Sequence, residues 1–85
     1  MEWLASLKDL RRGESATVLS LSAKGLIRRR LLDLGLVPGT EVRMVRRSPL
    51  GSPTAFLIRG AIIALRDDDA AMVRVKLSGK EKLSP

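Results

Sequence analysis

The sequence predicts a mainly β fold: a small SH3-like barrel of five strands, with one inserted α-helix and a helical turn before the last strand. Short runs of alternating apolar residues recur five times between about Ser15 and Leu77, separated by turn residues or helical segments. Closing such strands into a barrel removes exposed sheet edges. The chain of 85 residues suits one domain. We expect the domain over residues 1–77 and a disordered polar tail over 78–85.

The placement of the helices distinguishes between two barrel types. A single helical turn between the last two strands is typical of SH3-like barrels. In the OB-fold, the main competitor, the helix usually lies between the third and fourth strands. Here that connection is only Gly60-Ala61, so the SH3-like barrel is favoured.

The first twenty residues predict a helical segment followed by a strand. Apolar residues at spacings of three and four would lie on one side of a short helix or helical turn: Trp3, Leu4, Leu7 and Leu10. We expect this segment to cover one end of the core. A strand from about Ser15 to Leu21 follows, with Ala16 and Val18 on one face.

The next stretch predicts a helix, its cap and a tight turn. A helix from about Leu26 to Leu34 would have one apolar side, formed by Leu26, Ile27, Leu31, Leu32 and Leu34. Gly35 occupies the position where helices commonly end at positive φ, and in such a Schellman ending Leu36 would contact Leu31. Pro38 and Gly39 suit the two central positions of a type II turn.

The second half predicts four strands. Val42 and Met44 alternate in a strand from about 40 to 47, and Val45 breaks the alternation, which indicates a bulge or a two-sided strand. Two prolines and a glycine predict a loop over 48–53. Strands at about 55–59 and 62–66 form a hairpin, and Asp67-Asp68-Asp69 begins a helical turn before the last strand, 72–77.

Composition and charge narrow the function. Sixteen Lys and Arg against nine Asp and Glu give a net charge of +7, which favours an acidic partner. The chain has neither cysteine nor histidine, so disulfides, thiolate metal sites and the usual general base are excluded. No apolar run approaches the roughly 20 residues that span a bilayer, and no leader is evident. We expect a cytoplasmic protein without a transmembrane segment.

The segment from Arg28 to Val42 resembles the signature of the FeoA family, the small cytoplasmic component of bacterial ferrous iron uptake. The resemblance continues through 46–53, Arg59-Gly60 and 63–66, and it covers about residues 7–77. It implies an SH3-like barrel and protein–protein contact with the cytoplasmic GTPase domain of the membrane transporter FeoB. Activation, gating and scaffolding of that transporter all stay open.

Two arginine clusters are candidate partner contacts, because guanidinium groups bind carboxylates bidentately. The first is Arg28, Arg29 and Arg30. Successive helix residues are about 100° apart, so these three cannot all point the same way, and a solvated or locally paired face is the alternative. The second cluster is Arg46 and Arg47 with Leu50 in the following loop; the alternative is that both arginines are outward strand ends. Four residues are interpreted as backbone geometry rather than contacts: Gly35, Pro38, Gly39 and Gly60.

Other functions have less support. Asp67-Asp68-Asp69 is the only carboxylate cluster, but acids at a helix start more often match the helix dipole, so no metal or cofactor site is predicted. No nucleophile–base pair or phosphate loop indicates catalysis. The rival function is a small basic nucleic-acid-binding barrel, which would have only Trp3 and Phe56 for base stacking. An apolar patch between helix and barrel could support a weak homo-oligomer.

Overall fold

The computed structural model describes residues 4–78 and places them in a six-stranded antiparallel sheet with two helices. The strands are β1 (Leu4–Ser6), β2 (Ser15–Leu21), β3 (Glu41–Arg47), β4 (Thr54–Ile58), β5 (Ala61–Leu65) and β6 (Val73–Leu77). The helices are α1 (Gly25–Asp33) and α2 (Asp67–Ala70), and one 3₁₀ turn spans Leu7–Asp9. The sheet order is β1-β6-β2-β3-β4-β5, so β1 and β5 are its edges within the described residues.

The mainly β prediction, with one inserted helix and a helical turn before the last strand, is confirmed. Alternate residues of the long strands point into a single core, which is why a period of two identified these strands. Phe56 is the largest fully buried side chain. The other strand residues in the core include Ala16, Val18, Val42, Met44, Ile58, Val73 and Val75.

The strand count was one too low, because the first residues do not form a helix. Leu4 lies in β1, opposite Lys76 of β6, and is 56% exposed. Only the later part of the predicted segment, Leu7–Asp9, is helical; Leu7 and the C-cap residue Leu10 are buried as expected. The edge of β6 offers free backbone groups that an extended segment satisfies. Trp3 lies outside the described residues, as does the predicted tail beyond Ser78.

The end of α1 has the predicted Schellman geometry. Leu34 is the C-cap and Gly35 has a φ of 104°. The Leu36 N–H donates to the Leu31 carbonyl at 3.1 Å, and the Gly35 N–H donates to the Leu32 carbonyl at 2.9 Å. Leu31 and Leu36 are both fully buried. This contact fixes the end of the helix to the core.

Gly35 also makes a close contact that the sequence did not indicate. A Cβ at this position would lie 3.2 Å from both Arg59 Cδ and Ile58 Cγ2. The glycine is therefore required by its φ and by the hairpin packed against it. The following turn has the predicted form, with Gly39 at a φ of 95° and the Thr40 N–H donating to the Val37 carbonyl at 3.0 Å.

The predicted apolar side of α1 was wrong at its first turn. Leu26 is 85% exposed and Ile27 is 42% exposed, and Leu31 is the one buried residue of the helix. At 100° per residue, Leu26 lies about 140° from Leu31 around the helix, so the two cannot share a face. Ile27 points in nearly the same direction as Leu31, but it lies more than one helical turn closer to the N-terminus.

The hairpin of β4 and β5 turns one residue earlier than predicted. Its two loop residues are Arg59 and Gly60, with φ values of 50° and 83°. Positive φ at both positions is the pattern of a type I′ turn, which matches the twist of the flanking strands. Gly60 is thus confirmed as a turn residue. Of the two alternatives predicted at Val45, a bulge or a two-sided strand, the structure has the bulge, since the β3–β4 register shifts between Met44 and Arg46.

Candidate partner-binding site

The three consecutive arginines of α1 have different surroundings. Arg28 donates from Nη1 to the Leu21 carbonyl at 3.4 Å. Arg30 places Nη2 at 2.6 Å from Asp69 Oδ2. The Arg29 side chain is exposed and makes no hydrogen bond or ion pair within residues 4–78. Arg28 and Arg29 line one cleft with Asp33, whereas Arg30 is paired with Asp69 outside that cleft. The structure therefore brings two of the three arginines to one surface, but not all three.

The pair of Arg30 and Asp69 connects α1 to α2. The Asp69 side chain is only 13% exposed, whereas that of Arg30 is 59% exposed. The N-cap of α2 is Arg66, so the three aspartates occupy its first turn and do not cap it. The Asp67 N–H instead donates to Ser52 Oγ at 3.2 Å. No group of three acidic side chains in residues 4–78 could hold a metal ion.

Four arginines from two distant segments meet in one cleft of about 610 Å³. We call it the arginine cleft. It lies between the 3₁₀ turn, the loop that follows it and the end of β3. Its lining comprises Asp9, Leu10, Arg11, Arg12, Met44, Arg46 and Arg47. Four guanidinium groups against one carboxylate make this surface strongly basic.

Hydrogen bonds to β3 fix the turn that carries Arg11 and Arg12. The Gly13 N–H donates to the Met44 carbonyl, and the Met44 N–H donates to the Glu14 carbonyl, both at 2.9 Å. Within the turn, the Arg11 N–H donates to Glu14 Oε1 at 2.6 Å. The backbone that carries these two arginines is thus pre-organised, which lowers the entropy lost when a partner binds.

The bulge at Val45 determines where Arg46 and Arg47 point. After the register shift, Arg46 lies opposite Ala55 and Arg47 lies opposite the buried Thr54. Arg47 is exposed, but its Nη2 donates to the Leu10 carbonyl at 3.3 Å. Arg46 is exposed and unpaired within the described residues. Of the two predicted arginines, Arg46 is the one available to a partner.

Leu50 stands at the tip of the loop that follows β3 and is 93% exposed. The loop is held by its own backbone, with the Ser48 N–H donating to the Pro53 carbonyl at 3.1 Å and the Gly51 N–H to the Ser48 carbonyl at 2.8 Å. Leu50 is the third residue after Arg47, so their Cα atoms are at most about 11 Å apart. A fixed loop thus presents an apolar side chain near the arginine cleft.

The predicted turn residues gather in a second cleft of about 600 Å³, between the turn after α1 and the β4–β5 hairpin. Pro38, Gly39 and Gly60 line it, together with Arg43 and Arg59. The sequence separates these two turns by about twenty residues. The contact of Gly35 with Arg59 brings them together.

Arg11 and Arg12 are the residues of the arginine cleft that sequence reasoning missed. The sequence signal for these two residues was weak. Two charged residues before a glycine turn ordinarily indicate a solvated loop. Their approach to Arg46 depends on the pairing of β2 with β3, where Ser15 lies opposite Arg43. A single sequence does not reveal such a register.

Comparison with known proteins decides the family. A model described as the FeoA domain matches residues 5–77. The chain belongs to the FeoA family. A FeoA structure from Chlorobium tepidum is 34% identical, with a TM-score of 0.81, and the match covers 94% of this chain and 76% of that one.

A second FeoA structure, from Stenotrophomonas maltophilia, is 39% identical with a TM-score of 0.73, and the match covers 82% of this chain and 87% of that one. That protein is described as a prokaryotic SH3 domain protein complexed with zinc. The SH3-like fold predicted from the sequence is thereby confirmed.

A curated relative from Porphyromonas gingivalis joins Fe(2+) transport protein A to the Fe(2+) transporter FeoB in one polypeptide. It is 32% identical over 71 residues, which is 84% of this chain but 8% of that protein. The FeoA family is thus associated with ferrous iron transport. Among residues 4–78, neither helix has the length and apolar character needed to cross a membrane.

Proposed function

We propose that this chain is a cytoplasmic, non-enzymatic accessory protein of ferrous iron uptake that binds the GTPase domain of an FeoB-type transporter. The fusion of the two parts in the Porphyromonas gingivalis relative carries this proposal. A covalent link keeps two domains at a high effective concentration, which is useful where they act in contact. In a separate chain, a docking surface must supply that affinity.

The arginine cleft is the surface that we propose for docking. Arg12 and Arg46 are exposed and lie on backbone fixed by hydrogen bonds or strand pairing. Arginine forks bind carboxylates in a defined bidentate geometry, so the complementary surface is a cluster of Asp and Glu on the partner. Leu50 adds an apolar contact beside these charges. Exposed charge pairs of this kind mainly raise the association rate and make binding salt-dependent.

Contact alone would make the chain a scaffold, whereas regulation requires more. A bound protein shifts the nucleotide cycle of a GTPase only if it binds one nucleotide state more tightly than the other. We propose such a difference, so that binding of this chain and the nucleotide state of the transporter are reciprocally linked.

A titration tests the proposed function. The purified chain is added to the isolated cytoplasmic GTPase domain of the cognate transporter, with GDP and with a non-hydrolysable GTP analogue, each at low and high salt. We expect saturable binding that weakens with salt and differs between the two nucleotides. Equal affinity in both states would leave scaffolding without regulation, and absence of binding in every state would refute the docking model.

Random duplex DNA provides the comparison for the rival nucleic-acid function. Phe56 is fully buried, so no aromatic side chain among residues 4–78 is available to stack on a base. We expect the chain to bind DNA far more weakly than the GTPase domain, without sequence preference and with a steep salt dependence. Tighter binding to DNA than to the GTPase domain would favour the rival.

A further inference from the structure

Strand β5 is an open edge of the sheet. Within residues 4–78 it pairs only with β4, and the sheet order ends there. An edge strand presents a row of unpaired N–H and C=O groups to any other extended segment that can approach it. The backbone of β5 is therefore a potential pairing surface.

The sequence of β5 lacks the features that usually prevent edge pairing. Natural edge strands are typically very short, or they carry charged residues, proline or a bulge. The other edge, β1, has three residues. In contrast, β5 has five residues, none of them charged and none proline. Ile62 on its outer face is 61% exposed, so the side chains beside this edge are apolar as well.

The hairpin geometry identifies the free backbone groups. A two-residue turn makes its flanking residues a hydrogen-bonded pair, and such pairs alternate with non-bonded pairs along an antiparallel ladder. Ala61, Ile63 and Leu65 therefore bond to β4. The N–H and C=O groups of Ile62 and Ala64 point away from the sheet.

A second copy of β5 satisfies all of these groups in one antiparallel register. When Ile62 of one copy faces Ala64 of the other, both N–H and both C=O groups of each strand gain a partner. The two-fold axis of this pair passes beside Ile63. Registers centred on Ile62 or Ala64 would leave half of the groups unpaired.

Charges at the two ends of β5 favour the same arrangement. Arg59 precedes the strand and Asp68 follows it; both are exposed and neither makes an ion pair within residues 4–78. Antiparallel pairing of two copies brings Arg59 of each near the start of α2 of the other. Parallel pairing would instead place like charges together.

The conformation of Arg59 adds a second argument. Its φ of 50° is the left-handed region that Asn, Asp or Gly usually occupies in a type I′ turn. The chain thus places a cation at this position despite the backbone strain. Strained positions of this kind are often retained for function.

We propose that two copies of this chain associate through β5 in an antiparallel pair centred on Ile63, which joins their sheets into one. This association does not depend on the proposed binding to the transporter. No residue of β5 lines the arginine cleft, so a dimer can form with both clefts open.

Amide hydrogen exchange at several protein concentrations tests the register directly. The Ile63 and Leu65 amides bond within each copy, and we expect them to be protected at every concentration. The Ile62 and Ala64 amides should exchange quickly in dilute protein and become protected as sedimentation equilibrium shows the dimer forming. A protein that stays monomeric into the millimolar range would overturn the proposal.

Proline at the edge tests whether these amides hold the dimer together. Ala64→Pro removes an N–H that faces away from β4, so the hairpin ladder of each copy stays intact. Because both copies lose a hydrogen bond, we expect the dimer dissociation constant to rise roughly 30-fold. Ala64→Ser keeps the N–H and is the matched control. Dimerisation of the proline variant at the affinity of the control would contradict the proposal.

A charge exchange provides a test that does not alter the strand. Arg59→Asp places aspartate before glycine in the turn, a pair that type I′ turns prefer, so the variant should fold at least as well as the original chain. We expect it to weaken the dimer several-fold, because the introduced carboxylate would face the aspartates of the other copy. Adding Asp68→Arg should restore the affinity at low salt. No change in either variant would exclude the antiparallel register.

Discussion

The two arginine-rich regions of this protein differ in how their charges are arranged. In α1, Arg28, Arg29 and Arg30 are consecutive, yet two of them are engaged by Leu21 and Asp69 of the same chain. In the arginine cleft, Arg12 and Arg46 are 34 positions apart in sequence and line one surface. On the helix, only Arg28 and Arg29 line a common cleft, and Asp33 lines it too. Strand pairing and a turn bring four arginines to the arginine cleft.

The difference also affects how much of each cluster a partner can use. A guanidinium already paired within the chain must give up that interaction before it binds elsewhere, which offsets part of the new contact. Arg12 and Arg46 of the arginine cleft have no such partner within the described residues, so they give up no existing interaction when they bind the transporter. We therefore propose that the transporter contacts the cleft in preference to the helix.

The largest expected effect is on binding. Arg12→Glu with Arg46→Glu should weaken binding to the GTPase domain about 100-fold, because like charges then face each other. The matched control is Lys24→Glu with Arg74→Glu, two exposed sites outside the cleft with the same change in net charge. We expect less than about a threefold effect there.

The same titration distinguishes the two regions. Arg28→Glu with Arg29→Glu should behave like the control if the helix lies outside the interface. Loss of affinity in the helix variant, with normal affinity in the cleft variant, would reverse the comparison.

The next effect is on stability, at the contact between α1 and the hairpin. Gly35→Ala should lower the free energy of unfolding by roughly 2–3 kcal/mol, because the substitution adds both strain at positive φ and a crowded Cβ. Gly39→Ala has similar φ strain but open space around its Cβ, so we expect roughly 1 kcal/mol less. Urea denaturation measures both. Equal losses would mean that crowding against Arg59 and Ile58 is unimportant.

A smaller effect on stability distinguishes Arg46 from Arg47 at the end of β3. Arg47→Ala removes the hydrogen bond to the Leu10 carbonyl, which should cost about 1 kcal/mol of stability. Arg46→Ala should change stability by less than about 0.5 kcal/mol. Thermal denaturation of the two neighbours is the measurement, and a larger loss at Arg46 would refute this assignment of roles.

The smallest expected effect concerns the ion pair of α1 with α2. Arg30→Ala should cost about 0.5 kcal/mol at low salt and less at high salt, because the Arg30 side chain is largely exposed. Arg29→Ala should have no measurable effect on stability. A salt-independent loss at Arg30 would indicate packing rather than charge.

The elements that could be predicted from the sequence are those specified by neighbouring residues. The end of α1 follows from Gly35 and the leucines on either side of it, and the bulge of β3 from the break in alternation at Val45. Strand β1 was missed because its partner, β6, lies about seventy residues away and supplies the hydrogen bonds. Leu26 was wrongly placed on the apolar side of α1. The prediction relied on its apolar side chain and not on its angular position around the helix.

The candidate site was predictable only in part, for the same reason. Arg46 and Leu50 were identified because a strand end and a proline-rich loop are local features. Arg11 and Arg12 were not, since they join the cleft through hydrogen bonds between Gly13, Glu14 and Met44. That register depends on two separate segments and leaves no pattern in either of them.

Chemical-shift mapping of the ¹⁵N-labelled chain tests the central claim most directly. The unlabelled GTPase domain of the cognate transporter is added stepwise, and the backbone amide resonances are followed. We expect the largest shifts at residues 11–14 and 46–50, with the amides of α1 unchanged. Shifts confined to α1, with the cleft unperturbed, would contradict the account and return the partner contact to the consecutive arginines.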